Sequence, residues 1–237
     1  FRLAFRREKL EKLEANVIEW ILFFFSEFAK YPFTKFHKKA IKRITTNMEW
    51  YEVLSWSREL AKSTIVFMCM MYLVLTGKKK NVLLISNSHE NAVRLLEPYK
   101  KAFESNSMLK AYYGDLREFG SWTADEFTLT TGATFRAIGA LESPRGTRKD
   151  AVRPDTALVD DFDTDADCRN PDILKKKWEW FEEALFPTRS ISEDLLVIFC
   201  GNLIALDCCV KRAGDKADHW DIVNIRDKDG KSSWPEK

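Results

Sequence analysis

The sequence predicts an α/β fold in which a mostly parallel sheet is flanked by helices. Residues 81–86 and 195–200 are continuous apolar runs of strand length, which are typical of parallel strands covered on both faces. Helical patterns alternate with the predicted strands along the chain, and this alternation indicates a doubly wound sheet. At 237 residues, 45% of them hydrophobic, the chain can also bury a substantial core.

Residues 1–32 are predicted to form a separate N-terminal helical segment. Apolar residues recur there at the spacing of an amphipathic helix, which is expected to continue until Pro32 ends it. A short basic helix follows, capped by Thr34, and leads to a first strand that includes residues 52–55. We expect the histidine of that helix, His37, to be a surface or packing residue, with a position near a nucleotide base as the alternative.

A Lys-Ser pair, Lys62 and Ser63, opens the next predicted helix shortly after that strand. In phosphate-binding loops, backbone N–H groups surround the phosphates, the lysine reaches the outer phosphates and the hydroxyl holds Mg²⁺. Residues 57–64 are therefore a candidate nucleotide loop. The strict pattern would place glycine where Trp56 and Ala61 stand, so an ordinary lysine at a helix start is the alternative interpretation.

The middle of the chain predicts a helix, a hairpin and a basic loop. Ser88 caps a helix after the apolar strand of residues 81–86, and two short alternating strands flank Thr131 and Gly132, as in a β-hairpin. Residues 142–149 form a basic segment interrupted by proline and glycine. That segment is the best candidate for a mobile functional loop, and an ordinary surface loop is the alternative.

Two adjacent carboxylates, Asp160 and Asp161, end the next predicted strand at residues 156–160. Ligands of open α/β sheets bind at the carboxyl ends of strands. There the first carboxylate can hold Mg²⁺ and the second can orient an attacking water. The acidic run of residues 163–167 lacks the glycine and the terminal glutamate of an EF-hand, so we expect it to be an exposed acidic turn.

The last third of the chain predicts a helix over residues 171–186 and then the buried strand of residues 195–200. Asn202 follows the carboxyl end of that strand, where a polar side chain can sense the terminal phosphate of a nucleotide. An ordinary strand-to-helix turn is the alternative. Residues 219–225 are predicted to form the last strand.

The composition excludes some classes of protein and leaves others open. Lys and Arg number 38 against 36 Asp and Glu, a net charge of +2, so no global basic field indicates nucleic acid and any such contact must be local. Five cysteines without C-x-x-C spacing indicate buried thiols and a reducing compartment. The apolar run of residues 17–25 is about half of the ~20 residues that span a membrane, and no signal peptide is visible. We expect an intracellular protein.

Taken together, these motifs resemble the ATPase domain of phage large terminase subunits over residues 33–237. The loop of residues 57–64, Ser-Arg-Glu-Leu-Ala-Lys-Ser-Thr, looks like the deviant Walker A motif of that family, which carries arginine early in the loop. The spacing from Gly132 through residues 145–148 to residues 158–161 is also similar. The resemblance implies a P-loop NTPase fold of the RecA/ASCE type, and a chain without the nuclease domain of full-length members, hence no DNA cleavage.

The resemblance also implies a set of nucleotide and metal ligands. Lys62 would contact the outer phosphates of ATP, and Ser63 and Asp160 would hold Mg²⁺. The nucleotide-binding residues would be Ser57, Arg58, Glu59, Leu60, Ala61, Lys62, Ser63 and Thr64.

Further residues would act on the reaction itself. Arg58 would act on the γ-phosphate in cis, Asp161 would be the catalytic carboxylate, and Asn202 would belong to the motif that couples hydrolysis to movement. Arg145 and Arg148 are candidates for an arginine that a neighbouring subunit supplies in trans.

The function that the resemblance implies is ATP-driven packaging of viral DNA. The protein would be of phage or prophage origin and act in the host cytoplasm. It would translocate double-stranded DNA into a procapsid, with the portal protein and the small terminase subunit as partners. It would be a monomer in isolation and a ring on the portal, without contact to a membrane.

Two other functions stay open. One is a degenerate P-loop module that docks DNA or a capsid or portal protein without catalysis, which Ala61 favours. The other is a helicase-type ATPase, which would need a second RecA-like domain.

Overall fold

A computed structural model describes residues 2–144, 153–189 and 194–237. Within these ranges one sheet contains β1 (Trp50–Trp56), β2 (Asn81–Ser86), β3 (Glu126–Thr128), β4 (Thr134–Gly139), β5 (Thr156–Asp160), β6 (Leu196–Cys200) and β7 (His219–Val223). The strand order is β3-β4-β2-β5-β6-β1-β7. Only the β3–β4 pair is antiparallel among these neighbours. The predicted mostly parallel sheet is confirmed.

Helices cover both faces of this sheet. They are α1 (Arg2–Glu14), α2 (Val17–Phe24), α3 (Lys35–Thr46), α4 (Lys62–Leu75), α5 (His89–Ser105), α6 (Ser107–Tyr113), α7 (Asp165–Cys168), α8 (Pro171–Glu179) and α9 (Cys209–Gly214). Helices α2 to α5 pack on one face, together with Leu54, Leu84 and Leu158 of the strands. Helices α8 and α9 pack on the other face, with Val53, Ile85 and Val159. Successive strand residues thus alternate between two cores, as side chains on a pleated strand must.

Several predicted elements are confirmed with small shifts in their bounds. All six residues of β2 are buried, and β2 pairs in parallel with β4 on one side and β5 on the other. Ser88 caps α5 by accepting the backbone N–H of Asn91 at 3.3 Å. Strands β3 and β4 form the expected hairpin, with Phe127 opposite Phe135.

Three local predictions were wrong. The N-terminal segment forms two helices, because Asn16 caps α2 by accepting the backbone N–H groups of Ile18 and Glu19, and such a cap starts a new helix. The helical pattern ends well before Pro32, since the C-cap of α2 is Phe25. By contrast, the predicted helix of residues 171–186 is confirmed, as α8 to Glu179 and as a π-helical turn over Trp180–Leu185.

The third error concerns the acidic run of residues 163–167, which is more than an exposed turn. Asp163 accepts the backbone N–H of Cys209 at 2.6 Å. Asp167 pairs with the buried Lys177 at 2.8 Å, and Lys177 also donates to the carbonyl of Phe162. These bonds hold the chain that follows Asp161 against α8 and α9.

The cysteines agree with the predicted buried thiols. All five are free, and four of them are buried: Cys69, Cys200, Cys208 and Cys209. In the described part of the chain, no helix has both the length and the apolar character that crossing a bilayer requires. The boundary that the sequence suggested at residue 32 stays a prediction.

Helix α2 packs directly on the main core through Trp20, which is fully buried. The indole ring lies 5.4 Å from that of Tyr72 in α4, and its N–H donates to the hydroxyl of Tyr113 in α6 at 2.8 Å. One side chain therefore joins three helices, and the N-terminal helices share the hydrophobic core of the sheet.

We predict that Trp20→Ala lowers the free energy of unfolding by about 3–5 kcal/mol, because it removes a buried indole and leaves a cavity. Urea unfolding followed by circular dichroism measures the change. Phe5→Ala is the control, since Phe5 of α1 is 64% exposed and its loss should change stability by about 0.5 kcal/mol or less. Equal losses in both variants would mean that α2 does not stabilise the core.

Candidate nucleotide-binding site

The candidate phosphate loop connects the end of β1 to the start of α4. Trp56 and Leu60 are buried at its two ends, and the backbone N–H of Ser57 donates to the carbonyl of Val223 in β7 at 2.8 Å. Helix α4 begins at Lys62. Its first N–H groups have no partner within the helix and carry the positive end of the helix dipole. The loop therefore ends at a helix terminus that can bind an anion.

Two residues of this loop have left-handed backbone conformations without being glycine. Glu59 has φ of 72° and Ala61 has φ of 59°, and Ala61 is the N-cap of α4. Such a conformation costs an L-residue about 1–2 kcal/mol because its Cβ crowds the backbone. Ala61 stands where the strict motif has glycine, and the structure shows that the position does use a conformation that glycine favours.

His37 of α3 contributes to holding this loop. Its Nδ1 accepts the backbone N–H of Thr34 at 3.2 Å, so its Nε2 carries the proton that is donated to the carbonyl of Leu60 at 3.0 Å. The ring is fully buried, 4.6 Å from that of Trp234. Burial lowers the pKa of His37, which keeps the ring neutral. Of the expected roles, packing is the one that the structure bears out.

The C-terminal residues also contact the loop. Lys237 donates to the backbone carbonyl of Glu59 at 2.6 Å and to its carboxylate at 2.7 Å. The indole N–H of Trp234 donates to the carbonyl of Pro32 at 3.1 Å. No sequence pattern predicted these contacts, because Lys237 and Glu59 are 178 residues apart and Lys237 lies outside every motif that the sequence shows.

A hydrogen bond joins the loop to the carboxylate at the end of β5. The hydroxyl of Ser63 donates to Oδ2 of Asp160 at 2.7 Å, and the backbone N–H of Asp161 donates to Oδ1 at 3.1 Å. Asp160 is buried, and burial raises its pKa to about 6, although the hydrogen bond from Ser63 opposes the rise. Asp161 is exposed beside it, with φ of 45°.

The loop and the acidic residues share one cleft, with a volume of about 1500 Å³. The predicted site residues that line it are Ser57, Arg58, Glu59, Leu60, Ala61, Lys62, Ser63, Thr64, Asp160, Asp161 and Asn202. Strand β6 lies between β1 and β5, so Asn202 follows a strand between the loop and Asp160. Arg145 and Arg148 lie outside the described residues. The chemical roles of all these residues stay predictions.

Sequence reasoning missed another part of the lining of the cleft. It consists of the chain after α2, one side of α5 and the start of α6, and it includes Phe28, Tyr31, Arg94, Lys101 and Met108. The spacing of seven residues between Arg94 and Lys101 could have indicated a shared basic face on α5.

The donor set at Ser63 and Asp160 fits Mg²⁺. Hydroxyl and carboxylate oxygens are the hard ligands that this ion prefers, and the two side chains already meet at hydrogen-bond distance. A second cluster among the described residues, Glu52, His219 and Asp221, could also bring three ligands together. There, however, the guanidinium of Arg43 donates to Glu52 at 2.6 Å and to Asp221 at 2.8 Å, so a cation already occupies the position between the carboxylates.

Among solved structures, the fold is similar to that of the HK97 bacteriophage large terminase. The TM-score is 0.52 at 14% sequence identity, over 84% of this chain and 41% of that one. Two structures of the large terminase ATPase domain of Thermus phage P74-26, one of them an arginine-to-alanine mutant, share 15% identity over 84% of this chain. They give TM-scores of 0.47 and 0.48 over 83% and 84% of their chains. No protein-family model and no curated protein matches.

The likeness to the HK97 protein confirms the predicted α/β fold, with a mostly parallel sheet flanked by helices. The chain spans about two fifths of the length of that terminase. At this level of identity the likeness extends to the fold, and the activity is a separate question.

We predict that Ala61→Gly stabilises the protein by up to about 1 kcal/mol. Glycine removes the Cβ crowding at φ of 59°, and part of that gain is offset because glycine also makes the unfolded chain more flexible. Denaturant unfolding measures the difference. Ala111→Gly is the control, since the exposed Ala111 lies within α6 and glycine there should cost about 1 kcal/mol. Loss of stability in both variants would contradict the strained conformation.

We predict that His37 makes stability depend on pH. Burial lowers its pKa when the chain is folded, so the unfolded chain binds the proton more readily, with a pKa of about 6.5. The stabilisation is complete above pH ~6.5 and is lost, by at most about 1.4 kcal/mol per pH unit, as pH falls toward the lowered folded-state pKa.

Urea unfolding of the wild type and of His37→Gln between pH 4.5 and 8 measures this dependence. The variant should show a shallower fall in stability below pH ~6.5, because glutamine does not titrate. Phe5→Ala removes an exposed side chain that does not titrate and should keep the wild-type fall. Identical curves for the wild type and His37→Gln would overturn the assignment.

Proposed function

We propose that this chain is a Mg²⁺-dependent ATPase and the motor domain of a viral DNA-packaging terminase large subunit. The observation that carries the proposal is the hydrogen bond from Ser63 to Asp160 at 2.7 Å. It brings a Lys-Ser helix start and a strand-end carboxylate together in one cleft, which is the pairing that phosphate and metal binding in P-loop NTPases requires. The fold shared with the HK97 large terminase supports the assignment to that class.

The loop would bind the phosphates of ATP. The backbone N–H groups at the start of α4 would surround them, and Lys62 would reach the outer ones. Ser63 and Asp160 would hold Mg²⁺, which neutralises charge on the phosphate oxygens when bound. Because its pKa is about 6, Asp160 is mostly ionised at neutral pH, as a metal ligand must be.

Three further residues would act on the terminal phosphate. Arg58 is exposed in the cleft and would offset the charge that develops during phosphoryl transfer. Asp161 would orient the attacking water, and Asn202 would sense whether the γ-phosphate is present. Arg145 and Arg148 would complete a neighbouring subunit's site in a ring.

The partners follow from this role. Double-stranded DNA would be held through phosphate contacts without reading of the bases, since a packaging motor must move along any sequence. The portal protein and the small terminase subunit would be the protein partners. A ring would form on the portal in the host cytoplasm, and residues 33–237 would be the ATPase domain.

One observation favours a second candidate, a P-loop module that docks DNA or a capsid protein without hydrolysis. Ala61 adds a methyl group to the loop at the position where the strict motif has glycine and the backbone approaches phosphate closely. ATP binding would then be weak or absent in a folded protein.

We predict that the chain hydrolyses ATP with Mg²⁺ and that Lys62→Ala lowers the rate by about 10²-fold or more, as loss of a group that stabilises transition-state charge does. Phosphate release is measured with and without double-stranded DNA. Lys176→Ala, a change at an exposed lysine of α8, is the control and should leave the rate unchanged.

The outcomes separate the two candidates. Turnover that Lys62→Ala abolishes and Lys176→Ala preserves supports the ATPase. Absence of both turnover and nucleotide binding, in a protein whose circular dichroism spectrum is that of a folded α/β domain, rejects the ATPase and supports the docking module.

A further inference from the structure

Four lysines form a stripe along the outer face of α3. Lys35, Lys38, Lys39 and Lys42 are spaced i, i+3, i+4 and i+7, which places them on one side of a helix. All four are exposed. The apolar residues of the same helix, Ala40, Ile41 and Ile44, are buried on the opposite side. We call these four residues the lysine stripe.

Helix α3 and the residues that flank it carry basic side chains and no acidic ones. No aspartate or glutamate occurs between Glu27 and Glu49, whereas that interval contains five lysines and one arginine. The arginine, Arg43, is neutralised by Glu52 and Asp221. The stripe therefore creates a local basic field on a chain whose net charge is only +2.

In the part of the chain that the structure describes, the lysine stripe differs from the charged faces of α1, α5, α8 and α9 in having no acidic partners. Helices α1, α5, α8 and α9 each pair a basic residue with a carboxylate four positions away. Within the described chain, none of the four stripe lysines forms an ion pair. Asp227 and Glu236 line a cavity of about 660 Å³ together with Lys35 and Lys39 but do not pair with them. Like charges on one helix face destabilise it, so a polyanion bound there would relieve a repulsion.

We propose that the lysine stripe binds the phosphate backbone of double-stranded nucleic acid. Lys35 and Lys42 are separated by about 10 Å along the helix axis, and a duplex carries about six phosphate charges over that length. Lysine is a point charge suited to phosphate rather than to base readout. A membrane surface fits less well, because an amphipathic helix binds there through an exposed apolar face, whereas Ala40, Ile41 and Ile44 of α3 are buried.

The position of α3 connects this surface to the nucleotide cleft. Its inner face carries His37, which donates to the Leu60 carbonyl of the phosphate loop. A duplex held by the outer face would therefore bind the same helix that holds the loop. This inference rests on the proposed function in one respect: the proposed function identifies the bound polymer as double-stranded DNA. It names the surface that contacts the polymer.

The test measures binding of a fluorescein-labelled 30-base-pair duplex to the nucleotide-free protein by anisotropy, between 50 and 300 mM NaCl. The variant replaces the lysine stripe with glutamine: K35Q, K38Q, K39Q and K42Q. The control removes the same charge at exposed lysines elsewhere: K80Q, K175Q, K176Q and K211Q. Circular dichroism checks that both variants are folded.

The stripe variant should bind at least tenfold more weakly at 50 mM NaCl. Its plot of log K against log salt should be shallower by about 2 to 4, since each lost phosphate contact removes about 0.9 from the slope. The control should bind with nearly the wild-type slope. Equal losses in the two variants, or no measurable duplex binding by the wild type, would overturn the proposal. So would binding of phosphatidylserine vesicles that depends on the stripe while duplex binding does not.

Lys62→Ala separates this proposal from the ATPase assignment. The binding assay contains no nucleotide, so this variant should bind the duplex as the wild type does, whatever its hydrolysis rate. Stripe-dependent duplex binding without any hydrolysis would reject the ATPase and keep the surface. If the wild type hydrolyses ATP and the stripe variant binds the duplex as tightly as the wild type, the ATPase assignment is kept and the binding surface is rejected.

Discussion

The hydrogen bond between the His37 ring and the Leu60 carbonyl holds the candidate phosphate loop, which contains no glycine. Two left-handed residues, Glu59 and Ala61, each cost about 1–2 kcal/mol, and such strain persists only when surrounding contacts over-determine the conformation. The contacts come from three directions. They are His37 on α3, Lys237 at the other end of the chain, and Val223 on the neighbouring strand. A typical phosphate loop uses glycine for the turn, whereas contacts from surrounding residues hold the turn of this candidate loop.

Strand order accounts for the rest of the site. The loop follows β1, and Asp160 ends β5, with β6 between these two strands. All three strands run parallel, so their carboxyl ends lie along one edge of the sheet. The Ser63–Asp160 hydrogen bond closes a separation of 97 residues at that edge. Burial raises the pKa of Asp160, and the hydrogen bond from Ser63 opposes that rise.

Helix α3 contacts the candidate loop on one side and solvent on the other. One side of it buries Ala40, Ile41 and Ile44 and positions His37 against the candidate phosphate loop. The other side exposes four lysines, which have no acidic partner among the residues that the structure describes. Most of the stability of a helix this short comes from the packing of its buried face, so its outer face is free to be specialised for a charged partner.

Local pattern was sufficient for the elements whose identity depends on neighbouring residues in the chain. The apolar runs of β2 and β6, the cap at Ser88, the Lys-Ser helix start and the aspartates after β5 were all predictable, because periodicity and capping act over a few residues. The order of the strands in the sheet did not follow from local pattern. The roles of Lys62, Asp161 and Asn202 depend on chemistry that fold alone does not establish.

Tertiary structure decided the contacts between residues that are distant in the chain. Composition does not show that His37 is buried against Trp234, that Lys237 reaches Glu59, or that Asp163 and Asp167 anchor the chain after Asp161. Each of these partners was one of many polar or aromatic residues available, and only the packing of the sheet against its helices selects among them. Sequence pattern therefore determined which segments form the candidate site, and long-range packing determined which residues hold those segments in place.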